Sequence, residues 1–111
     1  MPAALKRAVT RKEWIVVTGW RPHWMFDAFD LRFLEDPKGI LGGAESIHAF
    51  GRKGLAKDHP EVAAFISRIH IPLDELEQQM NVGEQTSYEK AAANYIATHK
   101  LEIDYWVTGK R

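Results

Sequence analysis

An apolar, β-branched run, Ile15-Val16-Val17-Thr18, stops at Gly19 and is followed at once by Trp20, Arg21, Pro22, His23 and Trp24. No other stretch of the chain restricts the fold as much. Residues branched at Cβ are stiff at χ1 and suit a pleated surface, so the run predicts a buried strand. Ligand sites of α/β proteins gather just past the carboxyl ends of strands, and both tryptophans fall there.

Trp20 has two readings. As an ordinary tryptophan it covers the end of the sheet from the core or its rim. As a functional one it offers a flat π face to a ligand. Gly19 favours the second reading, because a residue without Cβ lets the backbone turn sharply and leaves one side of the following ring uncrowded. Pro22 fixes the return of the chain and steers Arg21 away from helix. Trp24, Met25 and Phe26 resume the apolar run and anchor the loop. Trp20 is therefore the probe and Trp24 its support, while His23 either steadies the loop or approaches the ligand.

Three stretches carry a family resemblance. Trp14-Ile15-Val16-Val17-Thr18-Gly19-Trp20-Arg21-Pro22-His23-Trp24-Met25-Phe26, then Asp30-Leu31-Arg32-Phe33-Leu34-Glu35-Asp36-Pro37-Lys38-Gly39, then Gly43-Ala44-Glu45-Ser46-Ile47-His48 occur in order at family-like spacing. The chain resembles the substrate-binding proteins of glycine betaine ABC transporters from about Leu5 to Gly109. The resemblance implies part of a type II periplasmic-binding-protein fold, in which two α/β lobes close on a quaternary ammonium compound. It implies that Trp20 is one wall of an aromatic box; His23 and Trp24, read above from the residues, complete the expected ligand-site set. It further implies glycine betaine or a similar osmoprotectant as ligand, ABC transporter membrane subunits as partners, and a periplasmic or extracellular location. The chemistry suits the residue type: a trimethylammonium group has no N–H donors, so ring faces must hold its spread charge, and tryptophan is the best such face.

Length and composition set the outer bounds. The 111 residues, 45% hydrophobic and 27% charged, suit one globular domain with a core. Fifteen basic and fifteen acidic residues cancel, which argues against a nucleic-acid or anionic-membrane partner held by net charge. Without cysteine there is neither a disulfide nor a thiolate metal site, and the redox compartment stays open. Met1 to Arg7 lacks an apolar segment of signal-peptide length, and no stretch approaches the ~18 apolar residues of a membrane span. The resembled proteins are longer and have a second lobe, so residues 1–111 are read as a single, incomplete ligand-binding lobe. Such a lobe leaves sheet edges and an apolar interface uncovered, which favours a homo-oligomer. The competing reading is a non-transporting remnant or interaction module that keeps the lobe fold and self-associates.

The remaining segments predict a short mixed sheet flanked by helices. Ala4, Leu5, Ala8 and Val9 form a narrow stripe on a short basic helix over 3–12 that packs on the sheet. Residues 27–34 suit a strand ended by Asp36-Pro37-Lys38-Gly39, and residues 46–52 suit another. Asp58-His59-Pro60-Glu61 reads as a helix start, with Asp58 able to cap and Val62, Phe65, Ile66 and Ile69 as the buried stripe. Pro72 starts another helix, with Leu73, Leu76 and Met80 at helical spacing and Gly83 as its end. Thr86 with Glu89 forms a capping box before Tyr88, Ala91, Ala92, Tyr95 and Ile96. Trp106 is a core plug.

Nothing in the chain asks for catalysis or a cofactor. Asp74, Glu75 and Glu77 read as a solvated face that complements a helix N-terminus rather than as a catalytic pair. The histidines at 23, 48, 59, 70 and 99 lack metal-ligand spacing, and no Gly-x-Ser-x-Gly turn exists. Gly39, Gly42 and Gly43 lack the lysine-plus-hydroxyl ending of a nucleotide loop.

Overall fold

Every regular element among the described residues, 1–43 and 46–110 of a computed structural model, is a helix. They are α1 (Pro2–Arg11), α2 (Met25–Ala28), α3 (Leu55–Asp58), α4 (Pro60–Arg68), α5 (Leu73–Gln85), α6 (Tyr88–Thr98) and α7 (Lys100–Thr108). The expected α/β lobe with a short mixed sheet is corrected accordingly: no strand forms among the described residues. Residues 15–18 and 46–52 are irregular, and of 27–34 the first two residues close α2 instead. The physical reason is that β propensity measures how well a side chain fits a sheet, whereas a strand exists only once its N–H and C=O groups meet a neighbouring ladder. Side chains suited to a sheet consequently stand in the open: Trp14 is 97% exposed, Val16 79% and Phe50 94%. Ala44 and Glu45, from the third motif of the resemblance, lie outside the described residues.

The chain divides into two compact units, Met1–Leu31 with Ile71–Thr98 and Arg32–His70 with His99–Arg111. In the first, α5 packs against both α2 and α6. Its buried apolar side chains are Leu5 and Ala8 of α1, Met25 of α2, and Ala91 and Tyr95 of α6. Of the α1 stripe, Leu5 and Ala8 thus bury into a helical unit, not onto a sheet, while Ala4 is half-buried and Val9 exposed. Lys12 then turns left-handed at φ 56°, its N–H donating to Val9 C=O while Glu13 N–H donates to Ala8 C=O. This is the Schellman closure, with lysine where glycine is usual.

Two helix-boundary assignments shift. Gly83 does not end its helix, because α5 continues to Gln85. It is buried there, and a Cβ on it would stand 2.7 Å from the Tyr88 ring, so the missing side chain serves close packing. Ser87, not Thr86, caps α6, its hydroxyl accepting from Lys90 N–H at 3.2 Å. The Thr86 hydroxyl donates back to Val82 C=O at 2.8 Å and finishes α5.

In the second unit α4 packs against α3 and α7. Pro60 occupies the first turn of α4 as expected, but Asp58 caps nothing and pairs with Arg52 at 2.6 Å. Val62, Phe65 and Ile66 stay partly exposed, so the α4 stripe is only half covered. Ile66, with Leu55, His48 and Phe50, borders a groove of about 420 Å³. Trp106 is buried. The turn at Asp36 forms, with Gly39 N–H reaching Asp36 C=O at 3.0 Å and Leu41 N–H reaching its carboxylate at 2.8 Å. The amide of Leu41 holds the Asp36 carboxyl below its usual pKa. Among the described residues no helix is long and apolar enough to cross a membrane.

Candidate functional site

The Trp20 loop belongs wholly to the first unit, where a short helix and a long one grip the residues that follow the tryptophan. Trp20 itself is 65% exposed. Its ring meets His23 edge-on, with centroids 5.9 Å apart at 83°. His23 lies 5.4 Å from Trp24 at 33°, and Trp24 lies 6.1 Å from Phe29. These separations fall within the range in which aromatic pairs attract one another. The three expected site residues, Trp20, His23 and Trp24, therefore form one row of rings, with the half-buried members behind the exposed one.

His23 is fixed through its ring nitrogen. Met25 N–H donates to Nδ1 of His23 at 3.2 Å, which satisfies an otherwise free amide at the start of α2. Met25, next in line, is almost wholly buried. Its methyl occupies the space a Cβ on Gly19 would need, and Gly19 has no positive φ. Gly19 thus gives room to Met25; the sharp turn read from the sequence is not its role.

A residue the sequence reading placed on a solvated face proves central. Glu77 of α5 is only 3% exposed. Its Oε1 accepts from Arg21 Nε at 2.8 Å and, more distantly, from His23 N–H at 3.4 Å, while its Oε2 accepts from Arg21 Nη2. The fork-on-fork geometry fixes direction as well as distance. Arg21 also lies over the Phe26 ring, 5.6 Å from its centroid. The hydrogen bond that Arg21 donates to Glu77 raises the Arg21 pKa above its ordinary value. With the Arg21 side chain 39% exposed, water still reaches the pair, so its main effect is to hold geometry rather than to add stability.

The signal for Glu77 was present in the helix period. Leu73, Leu76 and Met80 define a stripe, and position 77 falls within it, so a carboxylate there needs a partner. Asp74 and Glu75 do sit in the first turn of α5, as read. A second tether joins α5 to α2, with Asn81 Nδ2 donating to Asp27 Oδ2 at 2.7 Å.

Comparison with known proteins bears on what such a loop does. Residues 1–98 match the family model described as the substrate-binding domain of ABC-type glycine betaine transport systems. Across 110 residues the chain is 38% identical to the glycine betaine/carnitine transport binding protein GbuC of Listeria monocytogenes, covering 98% of this chain and 37% of that protein. The crystal structure of lactococcal OpuAC, closed on glycine betaine, superposes with a TM-score of 0.82 at 38% identity, covering 96% of this chain and 42% of that one. The chain thus spans about two-fifths of the length of these relatives.

Proposed function

This chain belongs to the family of substrate-binding domains of ABC-type glycine betaine transport systems, and from that premise we propose that Trp20 is one aromatic wall for a quaternary ammonium ligand. The observation that carries the reading is an indole left 65% exposed beside neighbours that are anchored. Glycine betaine and carnitine, named for the similar Listeria protein, share a trimethylammonium group, so the ligand class is a methylated cation. His23 and Trp24 back the wall from the protein side.

Magnitude limits what the chain does by itself. One desolvated cation–π contact is worth about 2 kcal/mol, whereas a millimolar dissociation constant already requires about 4 kcal/mol. Trp20 alone therefore does not hold betaine usefully. In this reading residues 1–111 are an incomplete ligand-binding lobe, and the other walls and the carboxylate grip come from segments outside them, a second lobe among these. The assembled receptor delivers osmoprotectant to ABC transporter membrane subunits from the periplasmic or extracellular face.

Titration with glycine betaine, followed by tryptophan fluorescence and calorimetry beside a Trp20→Ala variant, tests the reading. Binding weaker than millimolar for the monomer is expected, with any fluorescence response lost in the variant. Micromolar affinity for a demonstrated monomer, or an unchanged response without Trp20, overturns it.

The exposed Trp14, Val16 and Phe50 favour a second reading, a self-associating module that keeps part of the lobe and does not transport. Sedimentation separates the two. A monomer at high concentration removes the self-association reading.

A further inference from the structure

We propose that Glu77 is a positioning residue for Trp20, acting through Arg21 to aim the exposed indole. The proposal rests on the reading of Trp20 as a ligand wall, and its geometry is independent of any ligand. Trp20 has one covalent neighbour on the C-terminal side, Arg21, and that residue is held by a carboxylate 56 positions away on a helix thirteen residues long. Both guanidinium bonds run to Glu77, and the same Oε1 accepts from the backbone of His23, the ring Trp20 abuts. One buried carboxylate thus fixes the residue after Trp20 and the ring beside it.

Glutamate is chemically suited to this role. A carboxylate offers two acceptor oxygens to the two parallel donors of arginine, so it fixes the rotation of the guanidinium as well as its place. A glutamine at the same position has one acceptor and would present an N–H₂ to a donor. An apolar residue would pack on the α5 stripe equally well and hold nothing. The sequence places a charge at this stripe position where packing alone calls for a leucine.

The test follows the Trp20 indole N–H in the ¹⁵N-labelled 111-residue chain without ligand, assigned by Trp20→Phe, with the Trp106 indole as an internal standard from the other unit. In the unsubstituted chain the Trp20 indole order parameter should approach that of rigid backbone, about 0.85, and in Glu77→Gln it should fall into the flexible range, below about 0.6. Far-UV circular dichroism and the Trp106 resonance should not move. Arg21→Gln should loosen Trp20 to the same degree, and Arg21→Gln with Glu77→Gln should loosen it no further, because both act through one link.

Glu77→Gln and Arg21→Gln each leave an unmatched group, so the double variant guards the test against a loss of helix in either single one. The double variant removes the imbalance and should recover helicity while Trp20 stays mobile. A Trp20 that is already mobile in the unsubstituted chain, or as rigid in the double variant as without it, overturns the proposal. Loss of helix in the double variant also counts against it, because Glu77 would then be a scaffold residue. Betaine affinity is not among the readouts, so failure of the ligand reading and failure of the positioning link are separately visible.

Discussion

Replacing Gly83 with alanine sets two effects of similar size against each other, and their difference is measurable. In a helix a glycine is less favourable than an alanine by about 1 kcal/mol. Against that gain, the new methyl would stand 2.7 and 2.8 Å from two carbons of the Tyr88 ring, inside contact distance. Forcing volume into a filled site costs about 1–3 kcal/mol. Tyr88 is half exposed and can swing away, which puts the cost near the middle of that range. It then gives up its hydroxyl bond to Glu84, 2.8 Å long, worth about 0.5–1 kcal/mol. Gly83→Ala should therefore destabilise the chain by about 1.5–2 kcal/mol on balance. In a Tyr88→Ala background the ring is gone and only the helix gain remains, so the same substitution should stabilise by about 1 kcal/mol. Urea titrations of the four proteins, followed by circular dichroism at 222 nm, give both values. The same sign in the two backgrounds would refute the argument that Tyr88 is what Gly83 makes room for.

Other outcomes follow from the same interactions. Lys12→Gly should stabilise by about 0.5–1 kcal/mol in urea unfolding, because the left-handed residue that closes α1 then carries no Cβ. Arg68 Nε donates to Trp106 C=O at 2.8 Å and Nη2 to Val107 C=O at 3.0 Å, so Arg68→Met should cost about 1–2 kcal/mol; a thermal melt unchanged within error would remove Arg68 as the cap of α7. Glu89 has its pKa lowered below the usual 4.5, first by its own backbone amide and then by the Ser87 hydroxyl. A carboxyl depressed in the folded state adds stability that is complete above the unfolded pKa and fades as pH falls through the folded one. Glu89→Gln should accordingly be less stable than the parent at pH 6, with the gap closing on acidification below about pH 4.5, as urea midpoints would show.

How much was legible follows from how far each cause lies along the chain. The starts of α4 and α5 are announced by Pro60 and Pro72, and their stripes repeat within a few residues, so a short window contains the reason for the helix. Residues 15–18 are different. Their side chains have every property of a strand, but the deciding partner is a ladder elsewhere, and no local pattern reports its presence. The ring row of the candidate site was readable because Trp20, His23 and Trp24 are near neighbours in sequence. Its clamp was not, because Glu77 sits among Asp74 and Glu75 and resembles them until the period of α5 separates the buried position from exposed Asp74 and from half-buried Glu75, which accepts from the Tyr95 hydroxyl at 3.1 Å. Ser87 and Thr86 show the same limit at one-residue scale: both suit a cap, and only the backbone geometry chooses.

The first unit is assembled from two separated segments, with residues 32–70 between them. Arg21 waits for Glu77 across 56 positions and Asp27 for Asn81 across 54. A ribosome adding about 5–20 residues per second leaves the newly emerged tryptophan loop without its clamp for roughly 3–11 s. During vectorial synthesis the stretch that looks most like a finished recognition element therefore stays unfinished for dozens of residues, and the intervening segment is made before that loop can close.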